Sequence, residues 1–316
     1  MNSKAVTVKV AVLDDYPNLA MRMADWSALK DRATITVFND HIAGTDAVVE
    51  RLHPFDVVNI MRERTPLSRE IIARLPNLKL IASTGPRNAA IDVSAAAERG
   101  IAIAHTGYRS EPTIEFTWAL ILASVRNLVA ESNNFRSGGW QQSIGGDLNG
   151  RTLGVLGLGN VGAQVAKIGS AFGMNVITWS QNMTPERAAA AGAISVSKDE
   201  LFRQSDILTI HVVLSERTKG MVGEAELALM KPMSRLINTS RGPVVNDEAL
   251  IKVLQARKIA GAALDVFDVE PLPADHPYRS LDNVLGAPHI AYGTEGLYRT
   301  FYQDTVDNIS AWLDQQ

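Results

Sequence analysis

The sequence predicts an α/β protein built from two doubly wound parallel sheets. Short β-branched runs alternate with alanine-rich helical segments along the chain, which is the pattern of parallel βαβ units. The chain has 316 residues, more than one typical domain contains. A glycine-rich stretch, SGGWQQSIGGDLNG, separates the strand-like runs into two series. We therefore expect two domains, with a small-molecule site in the cleft between them.

The first series of strands fills the first third of the chain. Its helical segments include Asp92–Arg99, which Gly100 ends. A longer apolar helix is predicted over Glu111–Glu131, just before the glycine-rich stretch. The predicted strands are Val8–Leu13, Thr34–Phe38, Val57–Ile60, Leu78–Ser83 and Ile101–Ala104.

The second series begins at Thr152 and is followed by an amphipathic helix over about Thr294–Leu313. The apolar side of that helix is predicted to contain Leu297, Phe301, Val306, Ile309 and Trp312. The predicted strands are Leu153–Leu156, Val176–Trp179, Ile207–Val212, Arg235–Asn238, Gly261–Val266 and Asn283–Leu285.

Composition narrows the class of protein. Hydrophobic residues make up 46% and charged residues 21%, which allows a large core. A net charge of -3 gives no general attraction to nucleic acid or to an anionic membrane, and the absence of cysteine excludes thiolate zinc sites and cysteine nucleophiles. The start, MNSKAVTVKVAVLDD, does not resemble a signal peptide, and Phe116–Val125 is too short to span a membrane. We expect a soluble, cytoplasmic protein without a metal.

The stretch GLGNVG lies between the strand-like TLGVLGL and the helix-like AQVAKIGSAFG. Gly157 permits a tight turn, Gly159 lets the backbone approach a pyrophosphate, and Gly162 lets the helix pack closely on the strand. The amides that open the helix, including those of Asn160 and Val161, would then meet the phosphates. Such glycines also occur in ordinary turns, but here both flanking elements are in place. The stretch predicts a dinucleotide cofactor.

The next strand ends at Ser180, where an Asp or Glu usually binds the ribose 2′-hydroxyl of NAD and repels the 2′-phosphate of NADP. Ser180, Gln181 and Asn182 are neutral. Arg187 follows a few residues later, inside a predicted helix and too far along it to contact the ribose. We expect both NAD and NADP to bind, with the preference open. The alternative is an NAD site that tolerates the loss of the acid.

Three later stretches place a functional group just after a strand. They are LINTSRGPVVN with Arg241, ALDVFDVEP with Asp265 and Glu270, and VLGAPHIAYGT with His289. Because ligands bind at the carboxyl ends of strands in doubly wound sheets, these groups are expected to converge in one crevice. Each alone could equally be an ordinary turn or loop residue.

Together these stretches resemble the D-isomer-specific 2-hydroxyacid dehydrogenase family. The resemblance extends over most of the chain, through GLGNVGAQVAKIGSAFGMNV, HVVLSERTKGMV, NTSRGPVVNDEAL, GAALDVFDVEPLP and NVLGAPHIAYGTEG. It implies interconversion of a 2-oxo acid and a D-2-hydroxy acid with a nicotinamide cofactor. It also implies that Arg241 is the catalytic arginine, that Glu270 is the acid paired with the histidine, and that His289 is the proton donor or acceptor.

The chemistry agrees with these residue types. Reduction of a 2-oxo acid needs a hydride at the carbonyl carbon and a proton at its oxygen. His289, as imidazolium, can donate that proton, and a neighbouring Glu270 favours the charged ring. Arg241 offers several donors to the substrate carboxylate or carbonyl oxygen.

The resemblance also assigns residues that contact the cofactor. Asp265 corresponds to the aspartate that holds the nicotinamide carboxamide, and Thr239 lies near the same end of the cofactor. His211 and Thr218 fall in a segment that lines the cofactor in relatives.

The stretch STGPRNAAIDVSAAAERGI resembles the family's substrate loop. There the backbone amides of Ser83, Thr84 and Gly85 are expected to bind the substrate carboxylate, unless the loop is a plain connection. Arg87 departs from the family pattern and would favour a second anionic group, and Tyr292 replaces a small residue and would narrow the pocket or donate a hydrogen bond. Either side chain could instead be packing or solvated surface.

The resemblance implies an interleaved order of domains. Residues 1–106 and 292–316 would form a flavodoxin-like substrate-binding domain, and residues 107–291 a Rossmann NAD(P)-binding domain. The predicted helix Glu111–Glu131 would form much of a homodimer interface, which Trp140 would share, or it would be an ordinary core helix.

Two functional questions remain open in the sequence. A non-catalytic NAD(P)H-sensing regulator, similar to the corepressors built on this fold, would retain the same residues. Within the enzymatic interpretation the substrate is undecided: glyoxylate or hydroxypyruvate would suit a small pocket, whereas a bulkier aromatic or dicarboxylic acid would need the loops to open. A short-chain dehydrogenase does not fit, because no tyrosine has a lysine four residues later.

Overall fold

The computed structural model describes residues 7–316, which form two compact units. The five-stranded unit comprises the chain up to Arg109 together with Gly293–Gln316, and the seven-stranded unit comprises Ser110–Tyr292. Residues 1–6, where part of the expectation of no signal peptide falls, lie outside the described residues. Each unit is a parallel sheet flanked by helices, so the predicted fold class is confirmed.

The five-stranded unit has the strand order β2-β1-β3-β4-β5, with every pairing parallel, which is the flavodoxin-like order. Its strands are β1 (Val8–Val12), β2 (Ala33–Val37), β3 (Val57–Ile60), β4 (Leu80–Ser83) and β5 (Ala102–His105). Its helices are α1 (Ala20–Met23), α2 (Thr45–Leu52), α3 (Arg69–Ala73), α4 (Val93–Glu98) and, from the end of the chain, α12 (Glu295–Leu313).

The seven-stranded unit has the order β12-β11-β10-β9-β6-β7-β8, again entirely parallel. Its strands are β6 (Thr152–Leu156), β7 (Asn175–Trp179), β8 (Ile194–Ser195), β9 (Ile207–Ile210), β10 (Arg235–Asn238), β11 (Gly261–Leu264) and β12 (Val284–Gly286). Its helices are α5 (Glu111–Val125), α6 (Leu128–Arg136), α7 (Asn160–Ala171), α8 (Pro185–Ala190), α9 (Lys198–Gln204), α10 (Glu224–Leu229) and α11 (Asp247–Gln255).

Local signals in the sequence explain several boundaries. The Asp92 side chain caps α4 by accepting from the Ala95 amide at 2.8 Å, and Gly100 ends that region with a φ of 66°. Thr294 caps α12, whose buried side includes Leu297 and Phe301 as predicted. Each predicted strand lies within two residues of its observed bounds. Only the two-residue edge strand β8 was not predicted, because so short a run carries little pattern.

The prediction of one helix over Glu111–Glu131 was wrong. The chain forms α5 and α6, bent by 65° at a break where Asn127 has a left-handed φ of 51°. Asn tolerates this conformation better than most residues, and a single such residue interrupts the hydrogen bonds of a helix. Eight of the fifteen residues of α5 are buried and none of α6 is, so only α5 belongs to the core.

Among residues 7–316, no single helix is long and apolar enough to cross a membrane. The pair α5 and α6 meets that requirement only when the two helices are taken together, on length and composition alone, across the 65° bend.

Candidate active site

The glycine turn after β6 is closely packed except at one point. Gly157 has a φ of 95°, and a Cβ there would lie 2.9 Å from the carbonyl oxygen of His211. A Cβ at Gly162 would overlap the carbonyl oxygen of Gly157. A Cβ at Gly159 would meet nothing within 4 Å. The backbone is therefore open to an approaching group at Gly159, and it is closed at the other two glycines.

This open point lies at the topological switch of the seven-stranded sheet. The strands β9 and β7 flank β6 on opposite sides, and ligands of doubly wound sheets bind at that position. The helix α7 starts at Asn160 without a side-chain cap, so the first amides, including that of Val161, have no side-chain acceptor. The turn and the helix start thus fit the pyrophosphate of a dinucleotide.

The segment after β7 lies beside this turn, because the amide of Gly157 donates to the carbonyl oxygen of Trp179 at 2.9 Å. Ser180 is partly buried, whereas Gln181 and Asn182 are exposed. The Arg187 guanidinium, which the sequence placed far from this position, folds back and donates to the carbonyl oxygen of Asn182 at 3.2 Å. The loop therefore carries one nearby cation and no acid at positions 180–182.

The shortest polar contact of the site joins His289 and Glu270. The Nδ1 atom of His289 lies 2.5 Å from Oε2 of Glu270, and their side chains are 20% and 29% exposed. The second carboxylate oxygen, Oε1, accepts from the amide of Phe267 at 2.9 Å. A ring that donates through Nδ1 keeps Nε2 for exchanging a proton with another molecule.

The backbone of His289 is held in an unusual conformation. Its φ is 54°, in the left-handed region that a non-glycine residue adopts only when its surroundings enforce it. The fully buried carboxyl group of Asp265 supplies that constraint, because Oδ1 accepts from the Ile290 amide and Oδ2 from the Ala291 amide, each at 2.8 Å. The resemblance assigned Asp265 to the cofactor, and in the structure both oxygens hold the main chain after His289.

Burial raises the pKa of the Asp265 carboxyl to about 6. The two backbone amides and His289 act in the opposite direction, and Glu270 adds to the increase. Each oxygen accepts an N–H, an arrangement that favours the ionised form. At neutral pH the carboxylate therefore places a negative charge close to the imidazole.

Tyr292, which the sequence left as pocket wall or packing, is 5% exposed and lies edge-on to the His289 ring, with centroids 5.7 Å apart. It therefore occupies space directly beside the imidazole.

Arg241 follows β10, the neighbour of the strand that leads to Asp265, so both groups leave the sheet at the same edge. The buried Asn238 shapes this turn, since its Oδ1 accepts from the Ser240 amide and its Nδ2 donates to the Arg241 carbonyl oxygen, both at 3.0 Å. The Arg241 guanidinium donates to the carbonyl oxygen of Ser240 at 2.7 Å. Asn238 was not predicted, although its place at the strand end directly before TSRG was a usable signal.

The three remaining cofactor candidates make internal contacts. The Thr239 hydroxyl lies 2.8 Å from the Thr117 hydroxyl. Burial lowers the pKa of His211 to about 3, so the ring is neutral at pH 7, and its Nε2 lies 2.9 Å from the Thr209 hydroxyl. The Thr218 hydroxyl donates to the carbonyl oxygen of Val213, 2.6 Å away. That hydrogen bond lies within the loop that contains both residues.

The backbone amides of the loop after β4 were expected to bind the substrate carboxylate, and two of them have other partners. The Thr84 amide donates to the carbonyl oxygen of Ile60 at 3.1 Å, and the Gly85 amide donates to the Thr106 hydroxyl at 2.8 Å. Ser83 is the last residue of β4. The amides of Thr84 and Gly85 are thus already used within the protein.

A cation that was not predicted, Arg62 in the loop after β3, lies against Gly85 in this loop. The Arg62 side chain is 15% exposed, and its guanidinium fills the space where a Cβ of Gly85 would lie. It also lies 5.2 Å from the centroid of the Tyr108 ring. Arg87, the predicted cation, is exposed. The signal for Arg62 was its position immediately after the buried run VVNIM.

Comparison with known proteins identifies the family. Residues 118–291 match the family model described as D-isomer specific 2-hydroxyacid dehydrogenase, NAD binding domain. The chain is 42% identical to a glyoxylate reductase of Aeropyrum pernix over 253 residues, covering 77% of this chain and 76% of that enzyme.

Two solved structures extend the likeness to nearly the whole fold. A phosphoglycerate oxidoreductase of Vibrio cholerae superposes with a TM-score of 0.92 at 36% identity, covering 98% of this chain and 100% of that one. A D-lactate dehydrogenase of Aquifex aeolicus, solved with NAD and lactic acid, has a TM-score of 0.78 at 28% identity, covering 97% and 96% of the two chains.

The seven-stranded unit is thus a dinucleotide-binding domain, and the protein is an oxidoreductase that uses a nicotinamide cofactor. The chain belongs to the D-isomer specific 2-hydroxyacid dehydrogenase family, whose members interconvert 2-oxo and 2-hydroxy acids.

Proposed function

We propose that the enzyme reduces a small 2-oxo acid to the D-2-hydroxy acid, with His289 as the proton donor, Glu270 as its partner and Arg241 as the substrate-binding cation. The contact of 2.5 Å between Nδ1 of His289 and Oε2 of Glu270 carries this proposal. A non-catalytic sensor can retain the same three residues, so a measurement of turnover distinguishes it from the enzyme.

The protein's own part in the reaction is proton transfer and charge stabilisation. The bound nicotinamide supplies or accepts the hydride. His289 would hold a proton on Nε2 toward the carbonyl oxygen, while Nδ1 donates to Glu270. Glu270 holds the ring through Nδ1, and transfer of the Nε2 proton to the nascent alkoxide would leave the ring neutral.

Arg241 would bind the substrate carboxylate and polarise its carbonyl group. A guanidinium binds a carboxylate through two parallel hydrogen bonds, and that geometry also fixes the orientation of the carbonyl carbon. The Asn238 contacts support this role because they fix the backbone from which the side chain extends.

A small substrate is favoured by Tyr292, whose ring fills space beside the imidazole. The likeness to a glyoxylate reductase points in the same direction. In the five-stranded unit, we propose that substrate recognition by the loop Ser83–Gly85 involves the Arg62 guanidinium, with the exposed Arg87 contributing little.

Both NADH and NADPH are expected to bind. The neutral residues Ser180, Gln181 and Asn182 do not repel a 2′-phosphate, and the Arg187 guanidinium lies against the same loop. The pyrophosphate of the cofactor would contact Gly159 and the start of α7. The rest of the cofactor would lie along Asp265, Thr239, His211 and Thr218.

The test is a panel of reductions followed by the loss of NADH or NADPH absorbance. The acids are glyoxylate, hydroxypyruvate, pyruvate, phenylpyruvate and 2-oxoglutarate. We expect turnover with glyoxylate or hydroxypyruvate and with both cofactors. Turnover of only the bulkier acids would contradict the small pocket. Tight cofactor binding without any turnover would favour the sensor instead.

We also propose a homodimer that forms through the outer face of α6 and the loop after it. This face exposes an apolar cluster, which is unusual on a monomer surface. The cluster consists of Leu128, Val129, Phe135, Trp140 and Ile144. Light scattering should give twice the mass of one chain, and the double change Phe135→Ser with Trp140→Ser should halve it. A monomeric wild type would exclude the dimer.

A further inference from the structure

The segment that carries Glu270 has no regular structure of its own. It runs from the end of β11 at Leu264 to a short 3-10 turn at Pro277–Arg279. A carboxylate on such a segment can hold the His289 ring only if other contacts fix the segment.

His276, near the far end of the segment, is bound through both ring nitrogens. Its Nδ1 accepts from the Tyr278 amide at 3.3 Å, and its Nε2 lies 3.1 Å from Oδ2 of Asp247. A ring that accepts at Nδ1 carries its proton on Nε2, so it donates to the carboxylate. His276 therefore links the segment to the first turn of α11.

The helix α11 is fixed in the fold by its N-cap and by its packing in the core. Asn246 caps it by accepting from the Ala249 amide at 2.9 Å, and Leu250 and Leu254 lie in the hydrophobic core. The next residue after Asp247, Glu248, is exposed on the same turn. Two further charged groups, Asp268 and Lys219, act on this cluster. Burial and Asp247 raise the pKa of Asp268, whereas Lys219 and His276 act to lower it.

Aromatic contacts continue the link to the catalytic pair. The Tyr278 ring is buried, with its centroid 4.8 Å from that of His276 and 6.2 Å from that of Phe267. The Phe267 amide donates to Oε1 of Glu270, whose Oε2 contacts His289. An unbroken series of contacts thus connects Asp247 with the proposed proton donor.

We propose that His276 and Asp247 are positioning residues, which hold the segment so that Glu270 stays in register with His289. This inference rests on the proposed roles of Glu270 and His289, because it assigns the pair a support. Arg279 contributes to the same support, since it donates to the carbonyl oxygens of Leu272 and Pro273 at 2.7 and 2.8 Å.

The experiment compares three variants of the full chain. Asp247→Ala removes the acceptor, and Glu248→Ala is the matched control, because it removes a carboxylate from the same helical turn without a contact to His276. His276→Asn keeps an acceptor for the Tyr278 amide but is too short to reach Asp247. The first readout needs no substrate: the proton resonance of the hydrogen bond between Nδ1 of His289 and Glu270, observed by NMR.

We expect the resonance to move upfield or disappear in Asp247→Ala and His276→Asn, and to stay unchanged in Glu248→Ala. In the reduction assay, kcat should fall about tenfold, within the range expected for a slightly misplaced catalytic group, with little change in NADH affinity. The pH profile of reduction should also change, because the carboxylate of Glu270 would lie less closely against the ring. Asp247→Asn, which retains an acceptor oxygen, should recover part of each effect.

An unchanged resonance and an unchanged pH profile in both variants would overturn the proposal. So would equal effects in Glu248→Ala, which would trace them to the charge of the helix start. If Asp247→Ala does not fold, His276→Asn decides the question. Absence of turnover in the wild type would contradict the proposed function alone, since the NMR readout does not depend on catalysis.

Discussion

The environment of His289 and the loop after β7 lie in the same unit, and they are built in opposite ways. Around His289, a buried carboxylate holds the backbone and a second carboxylate holds the ring. In the loop after β7, Gln181, Asn182 and Arg187 are all exposed, and the one side-chain contact between them is a hydrogen bond of 3.2 Å. The comparison teaches that the fold holds the proposed proton donor rigidly, whereas the groups proposed to read the cofactor lie exposed on the surface.

The largest effect is expected from the rigid side of this comparison. His289→Asn should lower kcat by about 10²- to 10⁴-fold, the range of general acid–base catalysis, because the proton has no donor. Fluorescence titration should show that NADH still binds. His53→Asn, which changes an exposed histidine in the other unit, is the control. Near-normal turnover in His289→Asn would show that another group donates the proton.

A second test measures by how much the ionised Asp265 lowers the free energy of unfolding. Its pKa is raised from 3.8 to about 6, so the folded protein binds this proton more tightly than the unfolded chain does. That contribution to stability is present below about pH 4 and is lost as the pH rises through about 6. Relative to Asp265→Asn, the wild type should therefore lose up to about 3 kcal/mol of unfolding free energy between those values.

Urea unfolding of both proteins between about pH 4 and pH 7 measures this difference. Asp275→Asn, at an exposed position of the same unit, should show no comparable trend. A difference that does not change with pH would mean that the two backbone amides keep Asp265 ionised over the whole range.

The glycine turn offers a matched pair of substitutions. Gly162→Ala should reduce the unfolding free energy by about 2 kcal/mol, because its Cβ overlaps the carbonyl oxygen of Gly157. Gly159→Ala meets no atom within 4 Å, so it should leave the melting temperature unchanged and weaken NADH binding. Equal melting temperatures for the two variants would contradict the packing of the turn.

The smallest effect is expected at the adjustable loop. Arg187→Ala should lower kcat/KM for NADPH by about tenfold, the loss of one charge-assisted hydrogen bond to the 2′-phosphate, and leave NADH unaffected. Arg203→Ala, which changes an exposed arginine of α9 in the same unit, is the control. Equal losses with both cofactors would show that Arg187 supports the loop and does not read the phosphate.

Much of the fold and the centre of the site followed from pattern alone. Strands were predictable because a buried parallel strand is a short apolar run, and the glycines because each carries a specific steric requirement. The positions of Glu270 and His289 after strands followed from the sequence, whereas their proposed roles came from the resemblance to the family. The break between α5 and α6 was not predictable, because a single left-handed Asn127 within an apolar run leaves almost no trace in the pattern.

The order of residues predicts the α/β class, the cofactor turn and the pair Glu270 and His289 proposed for proton transfer, and it shows that no acid stands at Ser180. Tertiary packing alone places Arg62 against Gly85 and assigns both oxygens of Asp265 to the backbone beside His289. The physical reason is range. Steric and periodic requirements act between near neighbours in the chain, whereas these contacts join residues brought together only after the strands have paired.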